Sequence, residues 1–152
     1  IRLSLVGSEM CIRDRLLTVY VVHPSPPTSV SIPFSYDSSH RDTAISLLYD
    51  NYLAHETGPV IVLGDFNMSD LSDPYRMMDA TFDDAFAIAG QGLGFTFPAN
   101  RPFVAMPRLL RIDYVWYNDH VAALDARVGG NSGTSDHMPV IADLALIESA
   151  GD

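Results

Sequence analysis

Short apolar, β-branched runs that stop at ionisable residues constrain this chain more than any other feature. Leu16–His23 (LLTVYVVH) is cut off by Pro24, Pro26 and Pro27, and Val60–Leu63 (VIVL) runs straight into Gly64-Asp65-Phe66-Asn67. Runs of this length and composition predict buried strands. Three further strands are predicted over Ile112–Tyr117, Val121–Val128 and Val140–Leu146. Asn118-Asp119-His120 joins the first two of these as a tight turn.

Helical signals separate the strands. Residues 24–37 read as a Pro/Ser-rich loop. Ser38 or Ser39 then caps a helix from about His40 to His55, with Ala44, Leu47, Leu48, Tyr52 and Leu53 as its apolar stripe and Gly58-Pro59 as its stop. A short helix over Pro74–Ala80 is capped by Ser72 or Asp73, and a helical turn covers Asp83–Ala89. Phe95–Phe97 is a short strand candidate and residues 100–108 a surface loop. Alternating strands and helices of this kind make an α/β or α+β layered domain.

Composition narrows the class. With 152 residues, 47% of them hydrophobic, the chain can bury the core of one globular domain. No apolar run approaches the roughly 20 residues that cross a bilayer, so the visible chain is expected to be soluble; a membrane anchor would lie upstream of it. Nineteen acidic residues against nine basic ones give a charge of −10, which repels nucleic-acid phosphates unless cations cluster locally. Arg101, Arg108 and Arg111 form the only loose cluster. Nucleic acid is therefore a disfavoured partner. A small phosphoester is not, because a divalent cation can neutralise its phosphate. The single cysteine, Cys11, excludes an intrachain disulfide.

Residues 1–15 (IRLSLVGSEMCIRDR) show neither clean alternation nor helical periodicity. LVGSEMCIRD also resembles a translated adaptor sequence found at the ends of unrelated metagenomic reads. Residues 1–15 are therefore expected to be non-native. The domain is expected over residues 16–147, with 148–152 as a tail.

Chemistry concentrates where the strands end. The segments are Gly64-Asp65-Phe66-Asn67, Arg111-Ile112-Asp113-Tyr114-Val115 and Ser135-Asp136-His137-Met138-Pro139-Val140. Taken singly, each has an ordinary reading. Asp65 and Asn67 are common turn formers, Asp113 can pair with Arg111, and a lone histidine is usually structural. Arg41, in the first helical turn, reads as a solvated or packing residue. Asp83 and Asp84 read as helix caps, and Trp116 as core.

Together, and in this order, the three segments resemble the C-terminal signature of the endonuclease/exonuclease/phosphatase superfamily (GDFN, RIDYV and SDHxPV), which includes DNase I-like nucleases, sphingomyelinases and inositol-polyphosphate phosphatases. The resemblance covers essentially all of residues 16–147. It implies the C-terminal portion of a four-layer α/β/β/α sandwich. By the same resemblance, Asp65 orients or deprotonates an attacking water and Asn67 donates to phosphoryl oxygens. His137 contacts phosphate or transfers a proton, with Asp113 fixing its tautomer. Asp136 is the implied metal ligand and His23 a further phosphate contact. Oxygen-rich ligation of this kind suits Mg²⁺ or Mn²⁺.

The superfamily's first half supplies an asparagine and a metal-binding glutamate. Glu9, Glu56 and Glu148 lie in no matching motif, so that half is an expected partner, and the chain alone is expected to be inactive. VVHPSPP, GLGFTFP at 92–98 and Pro107 ahead of Arg111-Ile112-Asp113 resemble a bacterial branch, many of whose members carry hydrophobic helices before the catalytic domain. Two alternatives remain: a DNA or RNA nuclease of the same superfamily, and a non-catalytic phosphate-binding domain. Retention of Asp65, Asn67, Asp113, Asp136 and His137 weighs against the latter.

Overall fold

The computed structural model describes residues 4–12, 15–29, 36–99 and 109–147. Its strands are β1 (Ser4–Ile12), β2 (Arg15–His23), β3 (Thr28–Ser29), β4 (Tyr36–Asp37), β5 (Val60–Asp65), β6 (Asp83–Asp84), β7 (Asp113–Tyr117), β8 (Val121–Val128) and β9 (Val140–Leu146). The α-helices are α1 (Ser39–Asn51), α2 (Asp73–Asp79) and α3 (Ala85–Ala89). One sheet has the order β1-β2-β5-β7-β6, and separate two-stranded sheets pair β3 with β4 and β8 with β9. β2 and β5 run parallel with α1 in the connection between them, whereas β7 is antiparallel to β5.

Alternation along the strands divides the core in two. Val22, Val62, Tyr114 and Trp116 face one way, against Ile45 and Leu48 of α1 and Tyr75 and Met78 of α2. Ile61, Val115 and Tyr117 face the other way, against Phe86 of α3 and Val121, Ala126 and Leu144 of the β8–β9 sheet. Helices, large sheet and small sheet thus form three layers among the described residues, in keeping with the expected α/β class and DNase I-like fold.

Several local expectations are corrected. Asn118-Asp119-His120 does turn the chain, with Val121 N–H donating to Asn118 O at 3.0 Å, but β7 and β8 enter different sheets. Asn118 accounts for this: its side chain accepts from Val60 N–H at 3.1 Å and donates to Gly58 O at 2.8 Å. That ties the corner to the start of β5 and frees β8 to leave the sheet. In α1, Leu47 and Tyr52 are exposed and Ile45 is buried instead. The helix ends at Asn51, and Leu53–His55 continues as a 3-10 turn. Ser4–Ile12, where no element is expected, pairs along its length with β2. Gly7–Cys11 are exposed, so this strand is held by a backbone ladder that needs no apolar pattern. Within 24–37, β3 pairs with β4 over two residues. Phe95–Phe97 forms only a single bridge, Phe97 to Leu110. The loop at 100–108 and the tail at 148–152 lie outside the described residues.

The expected Ser38 cap of α1 makes no side-chain capping bond, and Asp37 accepts from Ser39 N–H at 2.9 Å instead; the two later helices follow their signals. Ser72 caps α2, its side chain accepting from Tyr75 N–H, and Pro74 sits in the first turn. Asp84 caps α3 by accepting from Phe86 and Ala87 N–H. Among the described residues no helix is long and apolar enough to cross a membrane.

Candidate active site

Topology gathers the strand-end residues at one edge. Parallel pairing sets Val22 opposite Gly64, so His23 and Asp65 leave the sheet on the same side. β7 begins there, with Asp113 directly opposite Asp65. Gly64 permits the close approach: its φ is +145°, and a Cβ there would lie 2.0 Å from Val22 O. Only glycine fits.

His137 arrives from the loop before β9. Met138 behind it is buried and donates its N–H to Thr96 O at 2.8 Å, and His137 N–H donates to Ser135 Oγ at 3.1 Å. Phe97 packs against the imidazole at 4.9 Å between ring centroids. Backbone bonds and the Phe97 ring together fix where the imidazole lies.

Asp65, Asn67, Asp113 and His137 meet at this edge, and the Asp136 carboxylate does not join them. His137 Nδ1 lies 2.9 Å from Asp113 Oδ2, and its Nε2 lies 3.9 Å from Asp65 Oδ2. Asp65 Oδ1 accepts from Asn67 N–H at 2.8 Å, and its Oδ2 accepts from Asn67 Nδ2 at 3.1 Å. Asn67 adopts a left-handed backbone (φ 51°), which asparagine tolerates better than most residues. His23 Nε2 stands 3.4 Å from Asp65 Oδ2 on a largely exposed side chain. Asp136 is exposed, and its backbone oxygen accepts from Ala99 N–H. Its carboxylate lies outside the group formed by Asp65, Asp113 and His137, although its charge acts on His137.

Electrostatics at this edge are strained. Burial raises the Asp65 carboxyl above its ordinary 3.8; the Asn67 N–H bond opposes this, and the Asp113 charge adds to it. Burial pulls the His137 imidazole down, but the hydrogen bond to Asp113 and the charges of Asp113 and Asp65 outweigh it, leaving it above 6.5. Ligand atoms of Asp65, Asp113 and His137 lie within 4.8 Å of one another. Two carboxylates and one imidazole fit a hard divalent cation, which would stabilise the Asp65 carboxylate against burial and against the lesser repulsion from Asp113. His137 Nδ1, however, already faces Asp113, so that pair is better suited to proton chemistry than to ligation.

Two clefts meet at His137. One, about 340 Å³, is lined by Asp65, Asp113, Asn131, Ser132 and Ser135. The other, about 600 Å³, is lined by Arg41, Asn67, Phe97, Leu110 and Tyr36.

Arg111 does not pair with Asp113 and belongs to no basic surface. It is buried, donates to Asp84 and lies over the Tyr114 ring at 4.9 Å. Burial alone would lower its pKa, but the Asp84 charge raises it. Tyr114 Oη donates to Arg111 O at 2.7 Å, so this network anchors the segment that delivers Asp113. Arg101 and Arg108 lie outside the described residues. The contacts of Arg111, Arg41 and Phe97 escape sequence reading because their partners are distant in the chain.

A sequence profile described as Endonuclease/Exonuclease/phosphatase family matches residues 5–137. The chain belongs to that family. Solved members and neighbours share its fold. An endonuclease/exonuclease/phosphatase from Bacteroides vulgatus matches 89% of this chain with 51% of its own, at 22% identity and TM-score 0.68. The mannosyl-6-phosphatase Bt3783 of Bacteroides thetaiotaomicron matches 88% of this chain with 53% of its own, at 17% identity and TM-score 0.67. The human Nocturnin catalytic domain matches 97% of this chain with 54% of its own, at 18% identity and TM-score 0.68. The chain thus spans about half the length of these structures. No curated protein sequence matches it. The family has hydrolase members, phosphatases and nucleases among them, and typically uses divalent metals.

Proposed function

We propose that this chain carries the proton-handling and phosphoryl-orienting part of a phosphoester hydrolase dependent on Mg²⁺ or Mn²⁺. The observation that carries the reading is the convergence of Asp65, Asn67, Asp113 and His137 at one sheet edge, with the Asp113–His137 pair 2.9 Å apart.

Each side chain has a role in this reading. Asp65 orients the attacking water and accepts its proton, a task helped by a carboxyl pushed upward by burial. Asn67 Nδ2, giving up its bond to Asp65 Oδ2 when substrate binds, donates to phosphoryl oxygens as negative charge builds on them. Asp113 accepts from His137 Nδ1, which leaves Nε2 to donate to the phosphate or to the departing oxygen. His23 adds a donor on the exposed side. Asp136, directly or through water, would hold the cation. When bound, the metal supplies Lewis-acid polarisation of the phosphoryl group.

The substrate favoured is a small phosphoester. A charge of −10 and the burial of Arg111 against Asp84 both disfavour a long polyanion. A mannosyl-6-phosphatase among the structural relatives fits the same direction.

The test is hydrolysis of p-nitrophenyl phosphate and bis(p-nitrophenyl) phosphate by a protein joining this chain to the remaining half of a family domain. Turnover with Mg²⁺ or Mn²⁺ that EDTA abolishes is expected. Turnover indifferent to EDTA would overturn the metal-dependent reading. Binding of phosphate without turnover would favour a phosphate-binding domain instead.

A further inference from the structure

Asn67 makes a backbone contact that the proposed chemistry does not use. Its carbonyl oxygen accepts from Arg41 Nη1 at 2.8 Å. Arg41 lies in the first turn of α1, 26 residues earlier, with only 10% of its side chain exposed. The rest of its fork is occupied: Nη2 and Nε lie 2.6 and 2.8 Å from Asp42 Oδ1. Asp42 Oδ2 in turn accepts from Ser38 Oγ at 2.7 Å. The relay Ser38–Asp42–Arg41 therefore ends on the backbone of Asn67.

We infer that Arg41 is a positioning residue, which fixes the Asp65–Asn67 turn and so aims the Asn67 amide. The inference rests on the role given to Asn67 above. An arginine spent on packing alone would not need a buried fork with both ends satisfied, one on a carboxylate and one on a strained carbonyl. Asn67 N–H and Nδ2 both bond Asp65, so rotation of the turn moves both residues together. Nδ2 also donates to Pro24 O at 3.1 Å, which links the same turn to the end of β2. Arg41 and Asn67 line the larger cleft beside His137. Loss of the guanidinium would leave the left-handed turn free to relax away from that cleft.

Two variants and two readouts test this. Arg41→Met should shift the NMR signals of the Asn67 backbone and side-chain amides and speed exchange of the backbone proton about tenfold. Asp42→Asn, which keeps the guanidinium but loosens its clamp, should move the same signals less. In the completed protein, Arg41→Met should lower kcat about tenfold with KM nearly unchanged, and millimolar guanidinium should restore part of the rate. Asn67 amides that behave as in the wild type in both variants, whatever the melting temperature, would overturn the inference. So would a loss confined to KM. The amide readout needs no turnover, so an inactive wild type would count against the proposed function and leave this inference to the exchange data.

Discussion

His137 Nδ1 faces Asp113 Oδ2 at 2.9 Å while its Nε2 faces Asp65 Oδ2 at 3.9 Å. One imidazole thus stands between two carboxylates that arrive on neighbouring strands, and the two nitrogens have different tasks. Asp113 holds the ring, and in the proposed reaction Asp65 would face the attacking water.

Titration of His137 follows from this pairing. Burial lowers its pKa and the Asp113 bond more than offsets that, so the folded value exceeds 6.5. The pair then contributes stability that is fully present below 6.5 and lost as pH rises through the folded value. Asp113→Asn should lower the His137 pKa by NMR and destabilise the protein more at acidic than at alkaline pH. In the completed protein it should cost about 10³–10⁴ in kcat, by analogy with carboxylates that orient histidine elsewhere.

Asp65 gives the opposite trade. Its folded pKa is raised, first by burial, so its favourable linkage exists below 3.8 and disappears as pH rises through the folded value. At neutral pH the charged carboxylate is a burden. Asp65→Asn should raise the melting temperature at pH 7, leave it unchanged below pH 3.8, and cost several orders of magnitude in turnover. Calorimetry at the two pH values checks the first part.

The Arg111–Asp84 pair is a structural prediction. Asp84 is fully buried and also accepts from Tyr75 Oη at 3.1 Å and Phe86 N–H at 3.0 Å. Asp84→Ala would leave the buried Arg111 charge with only the longer Asp70 ion pair at 3.5 Å and uncap α3, and should cost about 3–5 kcal/mol in denaturant unfolding.

Gly64 should tolerate no side chain. A Cβ 2.0 Å from Val22 O must push β2 and β5 apart, so Gly64→Ala should destabilise the sheet and displace both His23 and Asp65. Far- and near-UV circular dichroism with thermal melts would register it.

Much of this was legible in the residues themselves. VIVL before Gly64 marked β5, Ser72 with Pro74 marked α2, and the strand ends marked Asp65, Asp113 and His137. Those signals are local. What was not legible depends on distance. Asn118-Asp119-His120 reads as a tight turn, but the ties of Asn118 to Gly58 and Val60 show only in the fold. Arg111 reads as a surface cation until Asp84, 27 residues away, is found beneath it. Ile45 rather than Leu47 is buried because packing against the sheet sets the helix face, and periodicity alone left that choice open. Asp136, named by its motif as a metal ligand, is exposed and outside the convergent group, so its role rests on the resemblance.

The most direct test is kcat/KM for an activated phosphoester, with saturating Mg²⁺, in a protein that joins this chain to the other half of a family domain. The measurement compares wild type with His137→Ala at matched folding, judged by circular dichroism. The account predicts a loss of several orders of magnitude, because His137 would act on the transition state. A variant that turns over as fast as the wild type would contradict it.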